Sequence, residues 1–257
     1  MMSSARSKRV SLVAFSTAFV CASTMAFQVY IPATRGYFNV GEVAVYLVAL
    51  TLGPRIGAFA GGVGSMLADV FTGYYHFAPA TLLIKACEGF IVGQLNSLRV
   101  LARSKWSKLC LNAGGSMLVG ALIFTVGSKL YVGMAEVYVN LPALTPQYPW
   151  LSSFTLLSST LEVPLFTWLG VALTVILIMG LTTALFKWEL WWLITSVITG
   201  GLVMVLGYFL YETLIMGVAA AMVEVPFNIA QMLIGLAVAI PLYQAVKRPL
   251  QLQPSKQ

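Results

Sequence analysis

The chain has 257 residues, of which 59% are hydrophobic and only 9% charged, against roughly 25% charged in an ordinary soluble domain. A water-soluble globule is excluded, and with about 20 apolar residues per helical crossing the length admits at most roughly eight to ten spans and little extramembrane domain. The 15 Lys and Arg against 8 Asp and Glu leave a net charge of +7, which in a membrane chain is a topology signal before it is a sign of a nucleic-acid partner, and none is expected.

Taken in chain order, Arg6, Lys8 and Arg9 precede an apolar run that has the look of a signal peptide but is too long for one, so residues 10–30 are read as a first span. Residues 41–52, 56–71 and 80–98 are equally apolar but interrupted by Glu42, Arg55, Asp69, Lys85 and Glu88. Gly53 and Pro54 join the first two in a tight turn, and residues 73–79 separate the third. The segment 41–52 covers only about 18 Å of a ~30 Å hydrocarbon core, so it must be sheltered by protein or partly unwound. Uncharged stretches at 109–128, 163–186, 190–211 and 225–246 complete eight predicted spans. The fold class is an all-α polytopic membrane protein.

With the N-terminus in the cytoplasm, Arg6, Lys8, Arg9, Arg55, Arg99, Arg103, Lys105, Lys108, Lys187, Lys247, Arg248 and Lys256 fall inside. Only Arg35, Lys85 and Lys129 fall elsewhere. That asymmetry agrees with an even number of spans, a multi-pass protein of the cell membrane and a cytoplasmic C-terminus. Glu42, Asp69, Glu136, Glu162, Glu212 and Glu224 then lie in the outer half of the membrane or beyond it. Between residues 131 and 160, Pro142, Pro146 and Pro149 oppose a continuous helix, while Tyr148, Trp150, Leu151, Phe154 and Leu157 suggest an interfacial segment.

Cys21, Cys87 and Cys110 have no CxxC or Cys/His spacing and are read as small packing residues. Ala14, Ala18, Ala22 and Ala26 recur every four residues along one helical stripe, which suits either packing within the chain or docking of another membrane subunit. Gly57, Gly61 and Ser65 form a second small stripe, read as internal packing.

Asp69, His76, Lys85 and Glu88 gather near one outer loop. Charges at membrane depth are expensive, so they mark either an ion-pair cluster holding short helices together or the lining of a site for a polar substrate. Lys85 and Glu88, three residues apart, can pair with each other or with Asp69. His76 has no metal partner at ligand spacing, so no metal site is expected, and hydrogen bonding at a cavity mouth is its reading. Tyr37, Phe38 and Asn39, followed by Glu42, suit an aromatic or heterocyclic ligand and equally an interface turn. Glu224, Pro226, Phe227, Asn228 and Gln231 form another such cluster, with Pro226 placed in a first helical turn. These groups can converge on one outward-facing pocket. There is no GxxxxGK[ST], GxSxG or HExxH, so uphill transport would draw on an ion gradient or a partner.

The order of these motifs resembles the substrate-binding S component of energy-coupling factor (ECF) vitamin transporters. It runs through Gly36, Tyr37, Phe38, Asn39, Val40, Gly41 and Glu42; Leu52 to Gly57; Gly61 to Ser65; Ala68 and Asp69; Lys85 to Phe90; and Glu224 to Gln231 with Gly235. The resemblance implies capture of a vitamin-class small molecule and delivery by toppling in a complex with a transmembrane coupling subunit and two cytosolic ATPases. The chain is then no enzyme and needs no cofactor, ATP being used by the partners. It also implies that the stripe Ala14, Ala18, Ala22 and Ala26 docks the coupling subunit. Tyr37, Phe38 and Asn39 become part of a loop over the pocket, joined as substrate-binding candidates by Glu42, Asp69, His76, Lys85, Glu88, Asn228 and Gln231. The likeness leans towards riboflavin-type members. Such proteins have six spans, so residues 1–104 and 190–257 form the six-helix membrane core, of four and two spans, and residues 105–189 an inserted helical hairpin with a Pro-rich outer loop. The competing readings are a solitary ion-coupled permease with Asp69, Lys85 and Glu88 as relay, and a membrane-embedded enzyme with Glu88 or Asp69 as base and His76 as acid.

Overall fold

The computed structural model describes residues 2–32, 34–98, 104–130, 132–139, 157–185 and 188–252. Among them are eight helices, α1 (Met2–Ala26), α2 (Glu42–Leu52), α3 (Pro54–Thr72), α4 (Ala78–Leu98), α5 (Lys105–Leu130), α6 (Leu165–Leu185), α7 (Trp188–Met216) and α8 (Val218–Leu252). Each corresponds to one apolar segment of the sequence, because in a hydrocarbon slab only a helix satisfies its own backbone locally. Four of them, α1, α5, α7 and α8, contain stretches long and apolar enough to cross a bilayer. Large apolar side chains such as Phe15, Leu83 and Leu214 point outward, Leu214 being 84% exposed, as a surface solvated by lipid requires. The chain is an all-α polytopic membrane protein.

Two antiparallel ribbons interrupt the helices where turns and an irregular loop were expected. β1 (Gln28–Ile31) pairs with β2 (Gly36–Asn39), with Tyr30 opposite Tyr37 and Val29 opposite Phe38. The first helix therefore stops at Ala26 rather than running to Tyr30, and Gln28, Val29, Tyr30 and Ile31 form a strand with Ile31 buried and Tyr30 exposed. β3 (Gly133–Val139) pairs with β4 (Leu157–Val163), so Leu157, Glu136 and Glu162 lie on a ribbon. Tyr148, Trp150, Leu151 and Phe154 lie outside the described residues, as do Pro142, Pro146 and Pro149 and the cations Arg99, Arg103, Lys187 and Lys256.

The chain forms two compact units. Residues 102–191 make one, in which α5 and α6 pack together and a Cβ on Gly127 would strike the Trp168 ring. Residues 1–101 and 192–257 make the other, with α1 to α4, most of α7, and α8. In it α3 packs on both α1 and α4 through small residues. A Cβ on Gly57 would lie 2.8 Å from the Ala49 backbone and 2.9 Å from the Gly89 carbonyl oxygen. Gly57, Gly61 and Ser65 are buried, so that stripe serves internal packing. The alanine stripe behaves oppositely: Ala14, Ala18, Ala22 and Ala26 are all exposed, while Ser16, Thr17, Val20 and Thr24 face inward. Cys21 is buried as expected, but Cys87 and Cys110 are exposed and fill no core position.

The short α2 is sheltered rather than unwound. Glu42, Ala44, Val45, Tyr46, Val48, Ala49 and Leu50 are all buried, and Gly235 of α8 lets that helix approach Glu42 and Tyr46 closely. Gly53, at φ 84°, turns the chain sharply into α3, a conformation glycine adopts without a Cβ clash.

Candidate functional site

One cavity in the six-helix unit gathers polar side chains from α1, the β1–β2 hairpin, α2, α3, α4, α7 and α8. Its space not filled by protein atoms, open mouth included, is about 460 Å³. The hairpin covers it because its turn is tied down at both ends. Arg35 takes a left-handed conformation, φ 52°, to close the turn. The preceding Thr34 hydroxyl donates to Glu224 Oε2 of α8 and accepts from the Gly36 amide at 3.2 Å. At the other end, the Asn39 amide donates to Gln231 Oε1 at 2.8 Å, and Gln231 Nε2 donates to Asn228 Oδ1 at 2.8 Å. The Asn39 side chain accepts from the Gly41 amide at 2.8 Å, immediately before α2.

The Tyr37 hydroxyl donates to Asp69 Oδ1 at 2.6 Å, and its ring lies 4.4 Å from that of Tyr74. Burial first, and then the charge and hydrogen bond of Asp69, raise the Tyr37 phenol above its ordinary range, so it remains a neutral donor. Deeper in, Lys85 donates to Glu42 and to Glu88 Oε2, the latter at 3.0 Å, and the Tyr46 hydroxyl donates to Glu88 Oε1 at 2.8 Å. All three ionic residues are buried. Two carboxylates around one ammonium satisfy the cation, and Glu42 also lies in the first turn of α2, where the helix dipole favours an acid. Lys85 Nζ is also 5.7 Å from the centre of the Tyr208 ring, whose hydroxyl is 3.1 Å from Thr81 Oγ1.

Seven of the ten binding candidates therefore line one cavity: Tyr37, Asn39, Glu42, Asp69, Lys85, Asn228 and Gln231. Three do not. Phe38 turns towards Phe27, edge to face at 6.4 Å. His76 is exposed, and it is its backbone carbonyl that receives the Tyr211 hydroxyl. Glu88 stands behind the lining as the second partner of Lys85. Lys85 forms no ion pair with Asp69; its carboxylates are Glu42 and Glu88. Pro226 lies in the interior of α8 rather than its first turn, because that helix begins at Val218, after Gly217 at φ 91°. Glu224, Asn228 and Gln231 consequently project from successive turns of a continuous helix.

The sequence reading missed Thr24, Ser65, Phe77, Thr81, Tyr208 and Glu212 as lining residues, whereas Glu224, part of its outer cluster, does line the cavity. Glu212 had a usable signal, as an acid directly ending an apolar run. It belongs to α7 and is 1% exposed, with no hydrogen-bond partner on either carboxylate oxygen.

Residues 4–147 match the family model described as ECF-type riboflavin transporter, S component. An uncharacterized protein, from the "gap 3'region" of Pyrococcus woesei, is 39% identical over 118 residues, covering 46% of this chain and 72% of the relative. The thiamine precursor transporter HmpT of Lactococcus lactis subsp. cremoris is 27% identical over 148 residues, covering 54% of this chain and 85% of the relative.

Proposed function

Because the chain belongs to the ECF-type riboflavin transporter S component family, we propose that it is the substrate-specific subunit of an ECF importer, capturing a vitamin-class small molecule at its outer face. The observation that carries the reading is the covered cavity, a polar pocket roofed by a hairpin that is hydrogen-bonded to α8. Riboflavin in the description of the family and a thiamine precursor in the name of the Lactococcus relative support a vitamin-class substrate. In this reading Tyr37, Asn39, Glu42, Asp69, Lys85, Asn228 and Gln231 serve binding, and Phe38, His76 and Glu88 support them from outside the lining. The exposed face of Ala14, Ala18, Ala22 and Ala26, running beside Phe59 and Phe71 of α3, docks the transmembrane coupling subunit. Energy comes from two cytosolic ATPases, and the protein lies in the cell membrane with both termini in the cytoplasm.

A solitary permease has less support. Its relay would pass through Lys85, which already bonds two carboxylates, Glu42 and Glu88. An acid–base pair of His76 with Glu88 or Asp69 has less support too, since of the three only Asp69 lines the cavity.

The test is coexpression with the subunits of an ECF module, followed by copurification and vitamin uptake into vesicles. The proposal expects a stable complex and uptake that requires ATP inside. Uptake by the isolated chain, collapsed by an uncoupler while ATP is maintained, would establish the permease instead.

A further inference from the structure

The charge balance of the cavity is one-sided. Four carboxylates line it, those of Glu42, Asp69, Glu212 and Glu224, and among the described residues one cation does, Lys85. That ammonium bonds Glu42 and Glu88. Asp69 and Glu224 are left with hydroxyl donors only, from Tyr37 and Thr34, and Glu212 has no donor at all although it is 1% exposed.

A buried carboxylate without a donor is costly, and an unpaired charge more so. An anionic ligand would add repulsion to that cost. A neutral ligand with no donor reaching Glu212 would leave a carboxylate there unpaired, or would need it protonated. A ligand with a protonated or amidine-like nitrogen removes the cost by donating to Glu212 in a charge-assisted bond. The rings of Tyr37, Phe77 and Tyr208 in the same lining offer it stacking and cation–π contacts.

We propose that the substrate is a nitrogen base, an amino-heterocycle with a cationic or amidine-like head, whose donor nitrogen binds Glu212 in the cavity that Glu42, Asp69 and Glu224 also line. The proposal rests on the reading of the chain as a vitamin-capturing subunit and narrows its substrate from vitamins in general to this class.

The test is equilibrium binding to the full-length detergent-purified protein of three nitrogen bases, thiamine, pyridoxamine and hydroxymethyl-aminopyrimidine, beside neutral riboflavin and anionic pantothenate. Each is repeated with Glu212→Gln, which keeps the shape and can still donate a hydrogen bond but carries no charge. The expected result is tight binding of at least one nitrogen base, weakened about tenfold or more by Glu212→Gln, with riboflavin and pantothenate bound far more weakly. Riboflavin bound tightest and retained by Glu212→Gln overturns the proposal, since the glutamine then mimics a protonated acid serving a neutral ligand. Tight pantothenate binding overturns it as well, as does a nitrogen base that binds equally well to Glu212→Gln. In those cases the importer reading stands. Binding of none of the five also overturns the proposal, and copurification with the ECF module then decides the importer reading on its own.

Discussion

The hydroxyl of Thr34, at the tip of the β1–β2 hairpin, donates to the carboxylate of Glu224 in α8, 190 residues further along the chain. With the Asn39 amide on Gln231 and the Tyr37 hydroxyl on Asp69, this bond is one of three attachments that hold the hairpin over the cavity.

Thr34→Val keeps the branched shape and removes the hydroxyl. A hydrogen bond to a charged group contributes roughly 1.5–3 kcal/mol, so the hairpin should open more often and bound ligand should dissociate about tenfold faster or more. Stopped-flow dissociation measures this, and an unchanged off-rate would show that the hairpin does not limit release.

Lys85→Met leaves Glu42 and Glu88 buried without their cation. Breaking such a pair costs roughly 3–5 kcal/mol, expected as a large fall in the thermal midpoint in detergent. Lys85→Met combined with Glu88→Gln should recover part of the loss, because one of the two stranded charges is gone. Equal instability of the single and double variants would contradict the ion-pair account.

Gly89→Ala places a methyl group against the Gly57 carbonyl of the facing helix. Overpacking of this kind costs typically ~1–3 kcal/mol. Gly114→Ala, in α5 where a Cβ meets open space, should instead gain up to about 1 kcal/mol of helix propensity. Thermal unfolding of the two variants should therefore shift in opposite directions.

Ala18→Trp on the exposed face of α1 should leave ligand binding by the isolated chain unchanged and abolish copurification with the coupling subunit. A Trp variant that still assembles would remove this face from the proposed interface.

The helical segments were legible because a bilayer forces each crossing into a long apolar run, and even the short α2 announced its need for shelter through its length. The hairpin was not legible, since its strands are four residues each and their anchors are distant residues of α8. Glu42 as the partner of Lys85 was hidden for the same reason, lying 43 residues away, whereas Glu88 was visible at helical spacing. Glu212 was legible only as an acid of the outer half of the membrane or beyond, because it directly follows the uncharged run, whereas α7 continues past it to Met216 and buries it. Glu224 and Pro226 disguised the start of α8, where helix packing outweighs the local preference of proline for a first turn.

Both bonds that the hairpin makes to α8 end on residues that also line the cavity, Glu224 and Gln231. A ligand that reached these two residues would compete with the hairpin for the same acceptors. A ligand that takes Glu224 from Thr34 loosens the roof above it, while one that leaves Glu224 alone is sealed in. By reciprocal linkage, whatever pins the hairpin shut must change the affinity of each ligand by the factor with which that ligand changes closure. Two substrates of equal affinity can thus leave at very different rates, and the difference is written in α8 rather than in the hairpin.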